Sequence, residues 1–280
     1  MLEVISDGLI FAEGPRWHEG RFWFSDMYGR VVYSIAPGQD RQVECTVPNQ
    51  PSGLGWLADG RLLIVSMADN KLLRREADGT LVDHADLSAL APGLLNDMVV
   101  DTGGRAYVGN FGYDLFGGAE PKTTCLILVE PDGASRIVAD GLNMPNGTII
   151  TADGKLLVVA ESFGSRLTAF DIADDGSLSG RRVWAQLPDE IVPDGICMDA
   201  EGAIWVASPF TNECLRVREG GEITERVPTG RMAIACVLGG EDRRTLYICT
   251  SEAIEEDECI TKKSNRIETM RVATAGAGLP

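Results

Sequence analysis

Four residues of this 280-residue chain have the types and spacing to share one chemical task. Asn96, Asn146 and Asp194 each stand eight residues before a recurring glycine (Gly104, Gly154, Gly202), as Ser52 does before Gly60, and Glu13 stands seven before Gly20. Their contexts rhyme: Glu13-Gly-Pro, Pro51-Ser52-Gly, Asn96-Asp, Pro145-Asn146-Gly and Pro193-Asp194-Gly. Two carboxylates and two amides facing one another are costly unless a cation compensates their charge. Hard oxygen donors carrying two negative charges suit Ca²⁺, Mg²⁺ or Mn²⁺ better than an ion that selects thiolate or imidazole. Asn or Asp before Gly is also ordinary turn chemistry, so the argument rests on recurrence at one repeat position. A serine hydrolase is disfavoured because G-x-S-x-G is missing. His18 and His84 fall near a turn and on an outer strand, where structural roles suffice.

The elements that must position these residues are repeats. A turn followed by a short apolar strand recurs at Gly20, Gly60, Gly104, Gly154 and Gly202, with a degenerate sixth copy anchored at Arg244; the spacings are 40, 44, 50, 48 and 42. Asp-Gly between β-rich runs is a hairpin signal, since glycine tolerates the positive φ of such turns. A third strand follows each anchor, and a more polar fourth follows five of them, around Gln42–Val47, Leu81–Ala85, Ser135–Ala139, Arg181–Ala185 and Ile223–Val227. The sixth copy lacks one, but Val4-Ile-Ser-Asp-Gly-Leu9 matches Ile137-Val-Ala-Asp-Gly-Leu142. The expected architecture is all-β: a six-bladed β-propeller over residues 1–280, one domain, closed by the N-terminal strand completing the last blade. Equivalent positions on its innermost strands place Glu13, Asn96, Asn146 and Asp194 at one mouth of the channel, with Ser52 joining more loosely.

Composition excludes several partners. With 25 Lys and Arg against 42 Asp and Glu the net charge is −17, which repels nucleic acid and argues against an anionic membrane surface. No apolar run is long enough to span a bilayer, and the first residues lack the pattern of a secretory signal. Seven cysteines without a C-x-x-C pair fit reduced thiols in strands. A cytoplasmic protein is expected.

Phe11-Ala-Glu13-Gly-Pro-Arg-Trp-His, Leu95-Asn96-Asp-Met-Val-Val-Asp, Pro145-Asn146-Gly and Pro193-Asp194-Gly-Ile-Cys-Met-Asp resemble the gluconolactonase, senescence marker protein and luciferin-regenerating enzyme family, a likeness that covers essentially the whole chain. The resemblance implies lactone hydrolysis by one divalent metal in the channel, Ca²⁺ first and Mg²⁺, Mn²⁺ or Zn²⁺ as alternatives. It puts the metal ligands on Glu13, Asn146 and Asp194, the proton-accepting role on Asp194, and substrate contact on Asn96. Sugar-lactonase members carry Arg-x-Asn-Asp where this chain has Leu94-Leu95-Asn96-Asp97. Leu94 therefore occupies the place of an arginine that would hold substrate hydroxyls, and the expected substrate is less sugar-like than an aldonolactone.

Loops joining second to third strands should surround the same mouth. They carry Tyr28, Phe111, Phe163 and Phe210, besides Met27, Met67, Leu115 and Phe116, pointing to a small, partly apolar lactone or ester. Residues 109–124 form the longest insertion and the candidate lid. Glu252–Glu258 reads as a solvated acidic loop. Aryl-ester or organophosphate hydrolysis on the same metal, and a non-catalytic calcium-binding propeller, are the competing functions.

Overall fold

The computed structural model describes residues 1–279, and its hydrogen-bonded sheets form six blades of a β-propeller. Blade 1 comprises Ala12–His18, Arg21–Asp26, Val31–Ile35 and Gln42–Thr46, and blade 2 comprises Pro51–Trp56, Leu62–Ser66, Lys71–Arg75 and Leu81–Asp86. Blade 3 runs through Leu95–Val100, Ala106–Asn110, Thr124–Val129 and Ser135–Leu142, and blade 4 through Pro145–Ile150, Leu156–Glu161, Arg166–Ile172 and Leu178–Gln186. Blade 5 contains Ile196–Asp199, Ile204–Ser208, Glu213–Val217 and Ile223–Pro228. Blade 6 takes Met232–Gly239, Thr245–Ser251 and Asn265–Arg271 from the end of the chain and Glu3–Leu9 from its beginning, paired antiparallel with Glu3 opposite Thr269. The likeness between Val4–Leu9 and Ile137–Leu142 has a physical cause. In both outer strands a glycine with positive φ, Gly8 or Gly141, sits where the pairing register shifts, and a buried leucine follows.

Apolar side chains on both faces of each sheet fill the space between blades, so the inner and second strands are buried nearly throughout. Phe22 of blade 1 stacks on Tyr247 of blade 6 with ring centroids 4.7 Å apart, packing across the seam where the ring closes. The turn glycines Gly20, Gly60, Gly104, Gly154 and Gly202 all have φ between 70° and 85°, as hairpin turns require. In the sixth copy the left-handed position is held by Arg243, with φ 55°; the repeat anchor is thus one residue earlier than Arg244.

Two further features differ from the sequence expectation. Part of the acidic stretch is helical: Glu256–Lys262 forms a short α-helix with Glu256, Asp257 and Glu258 in its first turn and Lys262 in its last. That order of charges complements the helix dipole, and Glu258 pairs with Lys262 one turn on. The final segment also adds a fifth strand, Gly276–Ala277, to the inner strand of blade 5, and Leu279 bridges to Ile150 of blade 4. Among the described residues, no helix is long and apolar enough to cross a membrane.

Candidate functional site

The inner strands begin at one mouth of the channel, and hydrogen bonds between them fix the level of their first residues. Gly147 N donates to Asp194 O at 3.2 Å and Gly195 N to Ile234 O at 3.0 Å. The second of these equivalent bonds assigns Ile234 as the sixth member of a ring with Glu13, Ser52, Asn96, Asn146 and Asp194. The recurring glycine after these residues follows from how closely the strands approach. A Cβ on Gly147 would stand 2.5 Å from Ile196 N, and one on Gly195 only 2.3 Å from Ala235 Cβ, distances no side chain accommodates. The X-Gly dipeptides are therefore requirements of the narrow ring.

Above this ring lies a cavity of about 130 Å³ lined by Glu13, Asn96, Asn146 and Asp194 together with Tyr28, Phe111, Phe163 and Phe210. The structure thus brings together all the sequence-expected site residues except Leu94. Leu94 does not line the cavity; it lies just ahead of its strand and packs against the apolar core, while its carbonyl accepts from Phe111 N at 2.9 Å. Burying that aliphatic side chain among other apolar groups is more favourable than presenting it to an open cavity. Tyr28 offers its ring, because its hydroxyl donates to Ile254 O at 3.1 Å. Phe116, Phe163 and Phe210 are 46%, 49% and 62% exposed and form the outer rim. The insertion between Asn110 and Thr124 brings Phe111, Leu115 and Phe116 to this cavity. His18, at the far end of its strand, stacks on Trp56 at 3.8 Å, and His84 lies on an outer strand.

The two carboxylates have unusual acidities. Burial pushes Glu13 up to about 7; the charge of Asp97 adds to this, while the neighbouring Ser52 hydroxyl and Arg16 oppose it. Asp194 is raised well above the ordinary carboxylate range, first by burial and then by the charges of Glu13 and Asp97. Neither the buried Glu13 Oε1 nor Ser52 Oγ has a hydrogen-bond partner of acceptable geometry. Asn146 Nδ2 donates to Ser162 Oγ at 3.3 Å, and Ser162 in turn to Pro193 O at 2.8 Å; Asn96 Nδ2 reaches Pro145 O at 3.5 Å. With their nitrogens committed to protein acceptors, both amides keep oxygen as the unspent acceptor.

These residues fit a hard divalent cation. An orphaned carboxylate oxygen, a second, half-buried carboxylate and two amide oxygens form an all-oxygen donor set, and a cation would reverse the repulsion that raises both acids. Among the described residues no group of three or more His, Cys, Asp or Glu side chains is gathered as a metal centre, so amide oxygens must complete any shell here. Sequence reasoning missed Ile234, whose place in the ring lacks the Asn, Asp or Glu signature, and the buried pair Arg16–Asp97. Asp97 stands where four of the other five copies have glycine and the sixth has Ala235.

The profile of the SMP-30/Gluconolactonase/LRE-like region matches residues 11–252. The chain belongs to this family. Regucalcin of Danio rerio is 28% identical over 293 residues, covering 99% of this chain and 95% of that protein. Pentonolactonase XacC of Haloferax volcanii is 27% identical over 290 residues, covering 98% and 94%. Among solved structures, a calcium-binding protein, regucalcin, from Agrobacterium tumefaciens superposes with a TM-score of 0.82 at 22% identity, over 98% of this chain and 94% of that one. This SMP-30/gluconolactonase-like chain thus shares its fold over nearly its whole length with that structure.

Proposed function

We propose that the protein is a metal-dependent lactonase whose substrate is less sugar-like than an aldonolactone. The observation that carries this reading is the meeting of two half-buried carboxylates, one with a buried, unpartnered oxygen, at the deep end of an apolar cavity. Membership of the SMP-30/gluconolactonase-like family supports lactone chemistry, as does the likeness to a pentonolactonase. Glu13, Asn146 and Asp194 hold the divalent ion, Ca²⁺ in the first instance on account of the oxygen donors. When bound, such an ion polarises a carbonyl and lowers the pKa of water. Asp194 takes the proton from the attacking water. Asn96 keeps one amide hydrogen on Pro145 O and offers the other to the substrate oxygen as charge develops there. The walls of Met27, Met67, Phe111 and Ile234 exclude bulk water and leave sugar hydroxyls without partners, which favours a substrate bearing an apolar arm. A small-molecule substrate and cysteines that are all free, six of them buried, accord with a reducing, cytoplasmic setting.

The aromatic rim formed by Phe116, Phe163 and Phe210 favours aryl-ester hydrolysis as the second reading. The test is a panel of sugar lactones, alkyl lactones, aryl esters and phosphotriesters, run on metal-stripped protein reloaded with Ca²⁺, Mg²⁺, Mn²⁺ or Zn²⁺. EDTA-sensitive, metal-restored opening of alkyl lactones is the expected result. Preference for sugar lactones would overturn the substrate assignment, and metal binding without turnover on any member would make this a binding propeller.

A further inference from the structure

Below the ring, the channel contains a guanidinium that the reaction scheme does not use. Arg16 is 4% exposed. Its Nε donates to Leu54 O at 2.8 Å, Nη1 to Pro15 O at 2.8 Å, and Nη2 to both Asp97 Oδ1 and Met98 O at 2.5 Å. These acceptors belong to the inner strands of blades 1, 2 and 3, so one side chain ties three strands together and holds one carboxylate. The room for that carboxylate is made by Gly53, where a Cβ would stand 2.8 Å from Asp97 Oδ1. Asp97 is itself buried, and its charge is felt by both Glu13 and Asp194, as that of Arg16 is by Glu13. With all three acids ionised, as a bound cation favours, the deep end of the channel carries −3 from its carboxylates and +1 from one guanidinium, a balance of −2.

We propose that Arg16 is a positioning residue that withholds Asp97 from the metal shell and sets the site's charge to match a divalent ion. The inference rests on the reading of Glu13, Asn146 and Asp194 as cation ligands and adds what tunes them. A guanidinium with every nitrogen engaged cannot swing away, so Asp97 stays paired instead of turning toward the ion. Removing Arg16 leaves a third uncompensated carboxylate beside the site, which attracts a cation; removing Asp97 leaves an unpaired guanidinium, which repels it. A pair that only braced the strands would behave differently, because loosening them weakens binding whichever partner is lost.

The experiment is calorimetric titration of the metal-stripped full chain with CaCl₂, comparing wild type, Arg16→Met, Asp97→Asn and the double variant, with circular dichroism to verify folding. Arg16→Met is expected to bind Ca²⁺ about tenfold more tightly and Asp97→Asn about tenfold more weakly, with the double variant within about threefold of wild type. Should Arg16→Met fail to fold, Asp97→Asn and the double variant decide the matter, since losing the whole pair spares the fold the cost of a buried unpaired charge. Arg16→Met must then tighten binding in the Asp97→Asn background. Weaker or unchanged binding on loss of Arg16 overturns the inference while leaving the metal site standing. Absence of Ca²⁺ binding by wild type overturns both this inference and the reading of the site.

Discussion

The two ends of the channel treat carboxylates drawn away from water to opposite effect. At the lower end, Asp199 accepts from Glu201 N, Ala203 N and Arg216 Nε at 2.9, 3.1 and 2.7 Å. Asp101 is held likewise by Gly103 N, Arg105 N and Arg105 Nε at 2.8, 2.9 and 2.7 Å. At the upper end, Glu13 keeps an oxygen with no partner and Asp194 faces two other carboxylates. A buried acid supplied with donors is structural, because its desolvation is offset on the spot. An acid drawn from water and left short of donors stores unfavourable energy that a ligand can release, and that shortfall distinguishes the upper end.

The comparison would be broken most directly at Asp194. Asp194→Asn should fold normally yet lose turnover by about 10²–10⁴-fold, and Glu13→Ala should lose metal affinity most; lactone hydrolysis and Ca²⁺ titration measure the two. Normal activity in either protein would remove the upper end's special status. At the lower end the signs reverse. Asp199→Ala removes the acceptor of Glu201 N, Ala203 N and Arg216 Nε, while Arg216 keeps Glu201 at 2.8 Å; it should cost about 1–3 kcal/mol in denaturant melts, while the folded fraction keeps its Ca²⁺ affinity.

Acidity sharpens the contrast further. In the metal-free fold Glu13 holds its proton up to about pH 7, against 4.5 for a free glutamate. Its stabilising contribution is therefore complete below about pH 4.5 and is lost as pH rises through 7, on the order of 3 kcal/mol. Melts of stripped protein should show this decline, Ca²⁺ should offset it, and Glu13→Gln should reduce it to the part that the raised Asp194 contributes. The smallest effect belongs to the rim. Phe163→Ser and Phe210→Ser should leave stability within about 0.5 kcal/mol, as exposed substitutions do, and lower kcat/KM for alkyl lactones about threefold to tenfold more than for sugar lactones.

The ring was legible in sequence because its glycines serve two separate demands, a left-handed turn at the foot of each blade and a close strand approach at the ring itself. Counting between them located Glu13, Asn96, Asn146 and Asp194 without a structure. What stayed hidden depends on distance in space. Ile234 has no polar signature, and Arg16 meets Asp97 across 81 positions, a pairing no local pattern encodes. Leu94 was misplaced because its strand begins one residue later, which frees its side chain to turn into the core. The helix at Glu256 was missed because seven residues are too few for hydrophobic periodicity to register, though its ordered charges were visible.

The strand Glu3–Leu9 leaves the ribosome long before its partner Asn265–Arg271 is made. At about 5–20 residues per second, the first strand waits for tens of seconds with an unpaired edge. Five blades can assemble during that interval, but the circle cannot close, so chains truncated before Asn265 should be captured by chaperones or aggregate. Glu3 and Asp7, exposed on that waiting strand, guard against mispairing with a neighbouring chain. The same residues that complete the propeller thus also protect it while it is being synthesised.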